Sequence, residues 1–533
     1  MKLMLKPIFL ILGLLAAEAP AAEAKKPNIV VILVDDMGFS DLGCYGSEIA
    51  TPNLDSLAAG GLSFSQFYNT GRCCPTRAAL LTGLYSHQAG IGGMVNEGGV
   101  DGYRGDLNKH CVTIAEVLRT AGYSTYMTGK WHVTKSVGPN VPEEKKFNWP
   151  LQRGFDHYFG IIDGKANYFH PESLTRDNTQ LPPPKENFYT TDAFVDNAIQ
   201  FVDSGPKEKP FFLYLAFNAP HFPLMAPAAD IAKYRGKYKG GWDKLREERH
   251  AKQLSLGLLD KAWALSPRAA DVKAWDTLTN DEQDRFDHLM AVYAACVDHM
   301  DRAIGKLVAN LKSRQELDNT LILFMSDNGG NAEAGVNGRS GGPGPLGSAE
   351  SDVFCGESWA NLQNTPFRLY KHYNHEGGIS SPLIAHWPAG ISAKGEFRNQ
   401  PGHLIDIMAT CVAVSGAGYP KEFKGEPITS MEGKSLLPAF ANQPIERDAI
   451  FWEHEGNAAV RSGDLKLVRK GRAGAWELYD LKTDRTELHD LANQKPDEAK
   501  QMKAKWDAWA IRAHVVPYPN SSKKASKALH SDQ

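Results

Sequence analysis

Four apolar, β-prone runs in this chain each lead into charged, amide or imidazole side chains. The runs and the groups that follow them are residues 29–34 before Asp35 and Asp36, residues 124–127 before Lys130 and His132, residues 211–217 before Asn218 and His221, and residues 321–325 before Asp327 and Asn328. Strands that are apolar on both faces are typical of mainly parallel sheets. Ligands of such sheets gather beyond the carboxyl ends of the strands. The pattern predicts a functional site at one edge of a parallel sheet.

Helical patterns alternate with these runs. Residues 51–60 start at Thr-Pro and stop at Gly-Gly, and residues 113–116 form a capping box. Helical periodicity also covers residues 192–202 and 284–311. This alternation predicts an α/β fold, with a large mixed, mainly parallel sheet flanked by helices. Residues 234–265 are rich in charge and glycine, and we predict that they form a helical, surface-exposed insertion.

The pattern changes toward the C-terminus. Short β-prone segments precede one helical segment there, at residues 449–453, 458–461, 465–469, 476–479 and 502–513. The chain has 533 residues, which exceeds the ~300 residues at which a single core usually stops growing. We predict a larger domain over residues 25–430, a smaller C-terminal α+β subdomain over residues 431–519, and a disordered tail over residues 520–533.

Residues 1–24 have the composition of a secretion signal peptide. Lys2 and Lys6 flank the start of a short apolar run, and residues 22–24 fit a small-residue cleavage site. A buried N-terminal helix is the simpler alternative. We expect an exported protein, periplasmic or secreted, without stable membrane insertion, because no later segment is apolar enough to cross a bilayer. The net charge of −3 gives no footprint for nucleic acid.

Two of the strand ends carry the ligand types that hard cations prefer. Asp35 and Asp36 follow one strand, and Asp327 and Asn328 follow another. Three carboxylates brought together would repel one another, and a divalent cation removes that cost. Oxygen ligands of this kind suit Ca²⁺ or Mg²⁺. A helix cap or a loop carboxylate is the simpler alternative for either pair taken alone.

Two adjacent cysteines stand at the start of a further helical segment. Seven scattered cysteines in a chain of this size do not make a disulfide framework, so Cys73 and Cys74 need another explanation. Pro75 suits a first helical turn, which places Cys73 at a helix N-terminus, where an anion is favoured. Arg77 lies one turn further on. A small buried hydrophobe is the simpler alternative; a cysteine phosphatase normally has a longer loop between its cysteine and its arginine.

The segment Cys73-Cys74-Pro75-Thr76-Arg77, followed by Leu81-Thr82-Gly83, resembles the sulfatase signature C-x-P-[ST]-R-x-x-x-L-T-G. The resemblance extends from residue 27 to about residue 468, and further motifs fall in the family's order: Asp35-Asp36, Gly129-Lys130-Trp131-His132, Pro220-His221, Asp327-Asn328, and Lys371 before Glu376-Gly377-Gly378. Residues 364–388 and residues 89–94 (AGIGGM) most resemble bacterial arylsulfatases. The resemblance implies an alkaline-phosphatase-like fold, a sulfatase catalytic domain over residues 25–430, and hydrolysis of sulfate esters.

The resemblance also implies a modified residue and a cation. A maturation enzyme of the family oxidises the signature cysteine, here Cys73, to formylglycine (3-oxoalanine), whose hydrate is the nucleophile. Asp35, Asp36, Asp327 and Asn328 would hold Ca²⁺, with Mg²⁺ as the alternative, and residue 73 would join them. Coordination would acidify one hydroxyl of the hydrate and make it nucleophilic at neutral pH.

The remaining motif residues receive roles from the same resemblance. Arg77 and Lys130 would orient the hydrate, and Lys130 and Lys371 would bind the sulfate oxygens. Arg368 and His372 lie close to Lys371 in the sequence and are the alternatives for its role. His221 or Lys371 would protonate the leaving oxygen. His132 would take the proton of the second hydroxyl, so that sulfate is expelled and the aldehyde returns.

Two other functions stay open beside a sulfatase. A phosphate or phosphonate ester hydrolase of the same superfamily can carry the same signature. A non-catalytic protein that binds sulfated glycans would keep the fold, although every expected catalytic position is filled here. The alcohol part of the substrate, a phenol, a sugar or a glycosaminoglycan unit, depends on pocket loops rather than on the motifs.

Overall fold

The computed structural model describes residues 25–184 and 186–519 of the chain. Its strands, in chain order, are β1 (Asn28–Val34), β2 (Leu62–Tyr68), β3 (Ser124–Lys130), β4 (His157–Ile161), β5 (Leu174–Arg176), β6 (Thr179–Gln180), β7 (Phe211–Ala216), β8 (Thr320–Ser326), β9 (Arg339–Gly341), β10 (Asp352–Phe354), β11 (Ser380–His386), β12 (Glu396–Arg398), β13 (Gly402–His403), β14 (Glu422–Phe423), β15 (Glu426–Pro427), β16 (Ile450–His454), β17 (Asn457–Ser462), β18 (Leu465–Arg469) and β19 (Trp476–Asp480). Its α-helices are α1 (Pro52–Ala59), α2 (Cys73–Thr82), α3 (Ile114–Thr120), α4 (Thr190–Ser204), α5 (Ala228–Tyr234), α6 (Gly241–Ser255), α7 (Asn280–Ser313), α8 (Gly356–Gln363), α9 (Glu376–Ile379), α10 (Asp406–Ser415), α11 (Leu437–Phe440) and α12 (Pro496–Arg512).

Eleven of these strands form one mixed sheet. The order across it is β12-β2-β11-β8-β1-β7-β3-β4-β5-β6, and β13 pairs with β2. The central strands β8, β1, β7, β3 and β4 are all parallel, whereas β11, β5 and β6 pair antiparallel with their neighbours. The four apolar runs are the parallel strands β1, β3, β7 and β8, so the prediction of a mixed, mainly parallel sheet is confirmed.

The central strand β1 is buried on both faces. Val31 and Leu33 pack in the core with α2, α3 and α10, whereas Val30 and Ile32 pack with α1, α4 and α7. Successive side chains of a strand point to opposite faces of the sheet. A strand between two helical layers therefore needs an apolar run without alternation, and the predicted α/β architecture with flanking helices is confirmed.

The C-terminal residues form a second, antiparallel sheet in the order β16-β17-β18-β19. Helix α12 covers it, and Trp506 and Trp509 belong to the same hydrophobic cluster as Leu467. The smaller C-terminal α+β unit is thus present. Trp452 of this sheet also packs edge-on against Tyr68 at the end of β2. The boundary between residues 430 and 431 stays a prediction.

The charged segment 234–265 contains a helix, α6, and many exposed residues, as its composition predicts. One face of α6 is not at the surface, however, because Trp242 and Arg249 are buried. Arg249 donates to Asp41 Oδ1 at 2.7 Å and to Glu48 Oε2 at 2.9 Å. Two carboxylates therefore compensate the charge of the buried guanidinium. The face of α6 that carries Arg249 packs against the loop that follows β1 instead of facing solvent.

Four other sequence predictions concern the two termini, membrane insertion and the cysteines. The predicted signal peptide, residues 1–24, and the predicted tail, residues 520–533, lie outside the described residues. Within the described residues, no helix is long and apolar enough to cross a membrane. All seven cysteines lie in the described part of the chain and are free thiols, as the prediction of no disulfide framework requires.

Candidate active site

The polar residues beyond the ends of four parallel strands meet at one edge of the sheet. β1 and β8 pair in register, with Val34 opposite Ser326, so the residues that follow both strands leave the sheet side by side. The backbone N–H of Asp36 donates to Asp327 Oδ1 at 3.2 Å. All ten site residues predicted from the sequence are buried: Asp35, Asp36, Cys73, Arg77, Lys130, His132, His221, Asp327, Asn328 and Lys371. We call these ten residues the catalytic cluster.

Two members of the catalytic cluster have a left-handed backbone. The φ angle is 64° at Asp36 and 52° at His132. For residues other than glycine this conformation costs about 1–3 kcal/mol and persists only where the surroundings enforce it. Gly164 lies directly against the His132 imidazole, since a Cβ at this position would lie 2.5 Å from Nε2. The loop after β4 therefore fixes where the His132 ring can lie.

The acidic side chains have the free oxygen atoms that a cation site needs. Among the described residues, Oδ1 of Asp35 and Oδ1 of Asn328 are buried and have no hydrogen-bond partner. Asp36 accepts hydrogen bonds from Asn328 Nδ2 at 2.7 Å and from Asn331 Nδ2 at 2.6 Å. Burial and the charge of Asp35 raise the pKa of Asp327 well above its usual range. The three carboxylates and the amide oxygen of Asn328 form an all-oxygen donor set, which fits a hard divalent cation such as Ca²⁺ or Mg²⁺.

Two cationic side chains compensate part of this negative charge. Lys130 Nζ donates to Asp35 Oδ2 at 2.6 Å. Arg77 donates to Asp327 Oδ2 at 2.8 Å and to the Lys130 carbonyl at 3.0 Å. Burial opposes ionisation of Asp35, but the charges of Lys130, His221 and Arg77 together outweigh it and lower the pKa of Asp35 to about 2. These groups are fully buried, so water screens their attraction little.

Helix α2 has Cys73 as its first residue and ends at Thr82, and Gly83, whose φ is 69°, follows it. The sulfur atoms of Cys73 and Cys74 and a ring nitrogen of His132 all lie within 4.8 Å of one another. A hydrogen bond from Cys74, and then the charges of Lys130 and His132, lower the pKa of Cys73 well below its usual range. Burial lowers the pKa of His132. The predicted nucleophile position therefore lies next to the predicted base.

Two further members of the catalytic cluster, Lys371 and His221, both lie beside Asp36. Lys371 Nζ lies 2.8 Å from Asp36 Oδ1 and 3.6 Å from Glu333 Oε2. His221 Nε2 lies 3.7 Å from Asp36 Oδ2, while its Nδ1 lies 2.6 Å from the carbonyl oxygen of Phe222. Burial opposes the charge of Lys371, but Asp36 and Glu333 outweigh it and raise its pKa. Burial lowers the pKa of His221.

The motifs give no role to several polar residues beside the catalytic cluster, although His372 is one alternative to Lys371. They are Arg72, Asn331, Glu333, His372, His454 and Glu455. Arg72 and His372 adjoin motif residues in the chain, and that adjacency was the available indication. Glu333 lies in a glycine-rich loop, and Glu455 follows β16 of the C-terminal sheet. No local pattern indicates that these two acidic residues approach the same site.

Comparisons with known proteins agree with this geometry. The model of the sulfatase family matches residues 27–417, and a model of the C-terminal part of N-sulphoglucosamine sulphohydrolase matches residues 367–510. An uncharacterized sulfatase of Schizosaccharomyces pombe is 35% identical, over 94% of this chain and 96% of its own length. An arylsulfatase of Klebsiella aerogenes is 34% identical, over 79% of this chain and 94% of its own length.

Solved structures share the whole architecture. Ps i-CgsB, solved in complex with k-i-k-neocarrahexaose, has a TM-score of 0.68 and 27% identity, over 95% of this chain and 98% of its own. The phosphonate monoester hydrolase of Agrobacterium radiobacter has a TM-score of 0.60 at 20% identity, over 92% of this chain and 96% of its own, so it shares the alkaline-phosphatase-like fold. With a family match over most of its length and two relatives above 30% identity, this chain belongs to the sulfatase family and is a sulfuric ester hydrolase.

Proposed function

We propose that this enzyme hydrolyses sulfate monoesters with a formylglycine hydrate derived from Cys73, held beside a divalent cation. The observation that carries the proposal is the position of Cys73, which begins α2 and lies next to His132 and near the charge of Lys130. Cys73 is only 2% exposed, so a formylglycine-generating maturation enzyme would have to act before the chain folds. Export to the periplasm or to the medium, directed by residues 1–24, is part of the proposal.

The proposed cation ligands are the side-chain oxygens of Asp35, Asp36, Asp327 and Asn328, together with residue 73. The buried Oδ1 atoms of Asp35 and Asn328, which have no partner among the described residues, support this assignment. Ca²⁺, or Mg²⁺ in its place, supplies Lewis acidity that makes an oxygen nucleophile available at neutral pH. Lys130 and Arg77 contribute by holding the acidic side chains in place before the cation binds.

The other side chains would act on the sulfate group and on protons. Lys130 and Lys371 would bind the sulfate oxygens, where fixed positive charge stabilises the transition state. Nε2 of His221 and Nζ of Lys371 are the candidates to protonate the leaving oxygen. His132, whose pKa is lowered by burial, would be neutral at pH 7 and able to accept a proton from residue 73. Arg77 would orient residue 73.

The test combines peptide mass spectrometry of residue 73 with assays on 4-nitrophenyl sulfate and 4-nitrophenyl phosphate. The protein is co-expressed with a formylglycine-generating enzyme. We expect the aldehyde at residue 73, sulfate release that Cys73→Ala abolishes, and retained activity in the matched control Cys74→Ala. An unmodified thiol in an active preparation would contradict the proposal.

Two further outcomes would favour the alternatives. A preference for the phosphate ester by orders of magnitude would identify a phosphate ester hydrolase. A fully matured protein that binds sulfated sugars and releases no sulfate would identify a glycan-binding protein. The relatives include an arylsulfatase and N-acetylgalactosamine-6-sulfatases, so we propose a phenol or a glycan as the alcohol part of the substrate.

A further inference from the structure

A group of charged side chains beside the catalytic cluster has no role in the proposed mechanism. This rim cluster consists of Arg72, Glu333, His372 and Glu455, with His454 adjoining it. Arg72 immediately precedes Cys73, and His372 immediately follows Lys371. In the sequence, the rim cluster therefore adjoins the proposed nucleophile through Arg72. Through His372 it adjoins Lys371, which is a candidate to protonate the leaving oxygen.

The rim cluster is a continuous chain of ion pairs that runs outward from the catalytic cluster. Arg72 donates to Glu333 Oε1 at 2.8 Å and also contacts His372. His372 Nε2 lies 3.1 Å from Glu333 Oε1, and its Nδ1 lies 3.3 Å from Glu455 Oε2. Side-chain exposure rises along it, from 1% at Lys371 through 13% at Glu333 and 29% at His372 to 35% at Glu455. The chain of charges therefore connects the buried site to solvent.

His454 adds unused hydrogen-bonding capacity next to these charges. It is fully buried, and neither of its ring nitrogens has a hydrogen-bond partner within the described part of the chain. Its Nε2 lies 3.7 Å from Glu455 Oε2. A neutral imidazole always carries one N–H donor and one acceptor nitrogen, and leaving them unpaired in the interior is costly. A polar group of a ligand that binds at Glu455 could therefore form a further hydrogen bond with the imidazole of His454.

The residue types decide which ligand suits this surface. Two carboxylates accept hydrogen bonds, and a guanidinium and an imidazole donate them. A hydroxyl group does both, so neighbouring hydroxyls can replace water on every one of these groups. A simple phenyl ring would displace the same water without forming hydrogen bonds. The charged groups of the rim cluster would then lose their hydration without compensation. Phe222, which stacks on Phe354 with ring centroids 4.3 Å apart, lines a small cavity together with Glu333 and offers an apolar face nearby.

We propose that the rim cluster binds hydroxyl groups of the alcohol part of the substrate, and that the enzyme prefers sulfate esters of sugars to those of simple phenols. This inference rests on the proposed function, because it takes Cys73 and Lys371 as the reacting end of the site. Arg72, Glu333, His372 and Glu455 are recognition residues in this scheme. They touch the alcohol and take no part in bond cleavage at sulfur.

The test compares specificity between two substrate classes. The kcat/KM is measured for N-acetylglucosamine 6-sulfate, N-acetylgalactosamine 6-sulfate and 4-nitrophenyl sulfate in wild type, Glu455→Gln and His372→Asn. The control is Glu396→Gln, since Glu396 is a carboxylate with an arginine partner, Arg398 at 2.8 Å, on the edge strand β12. We expect each rim variant to lower kcat/KM for the better sugar sulfate at least about 10-fold more than for the aryl sulfate. The control should leave the ratio between substrates unchanged. A ratio that the rim variants do not change would overturn the inference.

A binding measurement separates this inference from the proposed function. Calorimetric titration of Cys73→Ala with the same sugar sulfates requires no turnover. Adding Glu455→Gln should weaken binding about 10-fold, whereas adding Glu396→Gln should not. Equal affinities would overturn the rim assignment even in an enzyme that releases sulfate. Rim-dependent binding without any turnover of the wild type would support the rim assignment and contradict the catalytic proposal alone.

One competing occupant needs its own arm of the experiment. Ligand atoms of His372, His454 and Glu455 lie within 4.8 Å of one another, which is compatible with a metal ion. Titration of the wild type with Zn²⁺ alone addresses it. We expect no stoichiometric binding that depends on Glu455. Stoichiometric Zn²⁺ that is lost in Glu455→Gln would overturn the proposal of a sugar subsite.

Discussion

The ammonium group of Lys371 lies 2.8 Å from Oδ1 of Asp36, and the two residues are 335 positions apart in the chain. Each side chain is only 1% exposed. Lys371 therefore balances the charge of a proposed cation ligand and is also a proposed sulfate-binding group. The carboxylate of Asp36 would therefore interact with two positive charges, the ammonium group of Lys371 and the proposed cation. A chelator would remove only the cation.

Replacement of Lys371 by methionine should make the free energy of unfolding depend more strongly on the cation. Breaking a buried ion pair typically costs about 3–5 kcal/mol, because the remaining charge is left unpaired. We expect a loss of this size in chelator. Saturating Ca²⁺ should recover more stability in Lys371→Met than in wild type, since it supplies the missing positive charge. Urea unfolding with and without Ca²⁺ measures both.

The matched control for this prediction is Lys503→Met. Lys503 pairs with Asp507 at 2.7 Å, but its side chain is 47% exposed. Exposed pairs contribute about 0–1 kcal/mol, so this variant should behave like wild type with and without Ca²⁺. Equal responses of Lys371→Met and wild type to Ca²⁺ would show that the lysine and the cation do not share Asp36.

Much of the fold was predictable because its determinants are local. The runs that became β1, β3, β7 and β8 have no polar alternation, and only a strand covered on both faces tolerates that composition. The helix α6 was predictable from its sequence, but the burial of one of its faces was not. Its charged residues favour an exposed position, whereas Arg249 is buried with Asp41 and Glu48 as its partners, and both lie far from it in sequence. The composition of a segment shows that it carries charged residues, but it does not show which distant residues pair with them.

The candidate site divides in the same way. Each member of the catalytic cluster belongs to a short motif or follows a recognisable strand, so the sequence indicates it directly. The rim cluster depends on contacts between distant segments. Arg72 meets Glu333 across 261 positions, and His372 meets Glu455 across 83. The positions of Glu333 and Glu455 follow from loop geometry and from the docking of the C-terminal sheet, which no periodicity encodes.

Thr76 should be replaceable by serine and not by valine. Its hydroxyl donates to the carbonyl oxygen of Asp327 at 2.7 Å and lies 2.8 Å from the hydroxyl of Thr70. Thr76→Val keeps the shape and leaves these buried groups unpaired, so we expect a loss of about 1–3 kcal/mol in the free energy of unfolding. Thr76→Ser keeps the hydroxyl and is the control. Urea unfolding that ranks the two variants equally would contradict this account of α2.

Gly164→Ala should impair activity without unfolding the protein. The added Cβ would lie 2.5 Å from Nε2 of His132, so the imidazole has to move. A catalytic group displaced by about 1 Å can lose 10²-fold in rate. We expect kcat to fall at least 10-fold, within that range, with little change in the thermal midpoint. Gly418→Ala is the control, because no atom of the described residues lies within 4 Å of a Cβ at that position. Equal kcat values for the two variants would refute the role of Gly164.

The segment that carries Lys371 is tied to the C-terminal sheet by a buried network. Glu376, which begins α9, accepts from Lys466 of β18 at 2.8 Å and from Arg485 at 2.8 Å. All three side chains are fully buried. Lys466→Met should therefore cost about 3–5 kcal/mol of unfolding free energy.

The stability that this network contributes should depend on pH in a defined direction. Burial opposes the charge of Glu376, but Lys466 and Arg485 outweigh it and lower its pKa from 4.5 to about 2. Because the folded pKa lies below the unfolded one, the stabilisation is complete above about pH 4.5 and is lost as the pH falls toward about 2.

In Lys466→Met the pKa of Glu376 should rise toward its ordinary value. Urea unfolding between about pH 6 and about pH 3 should then show the gap between wild type and variant narrowing as the pH falls, whereas Lys503→Met should keep a constant gap. A gap for Lys466→Met that does not change with pH would mean that the network does not hold Glu376 ionised.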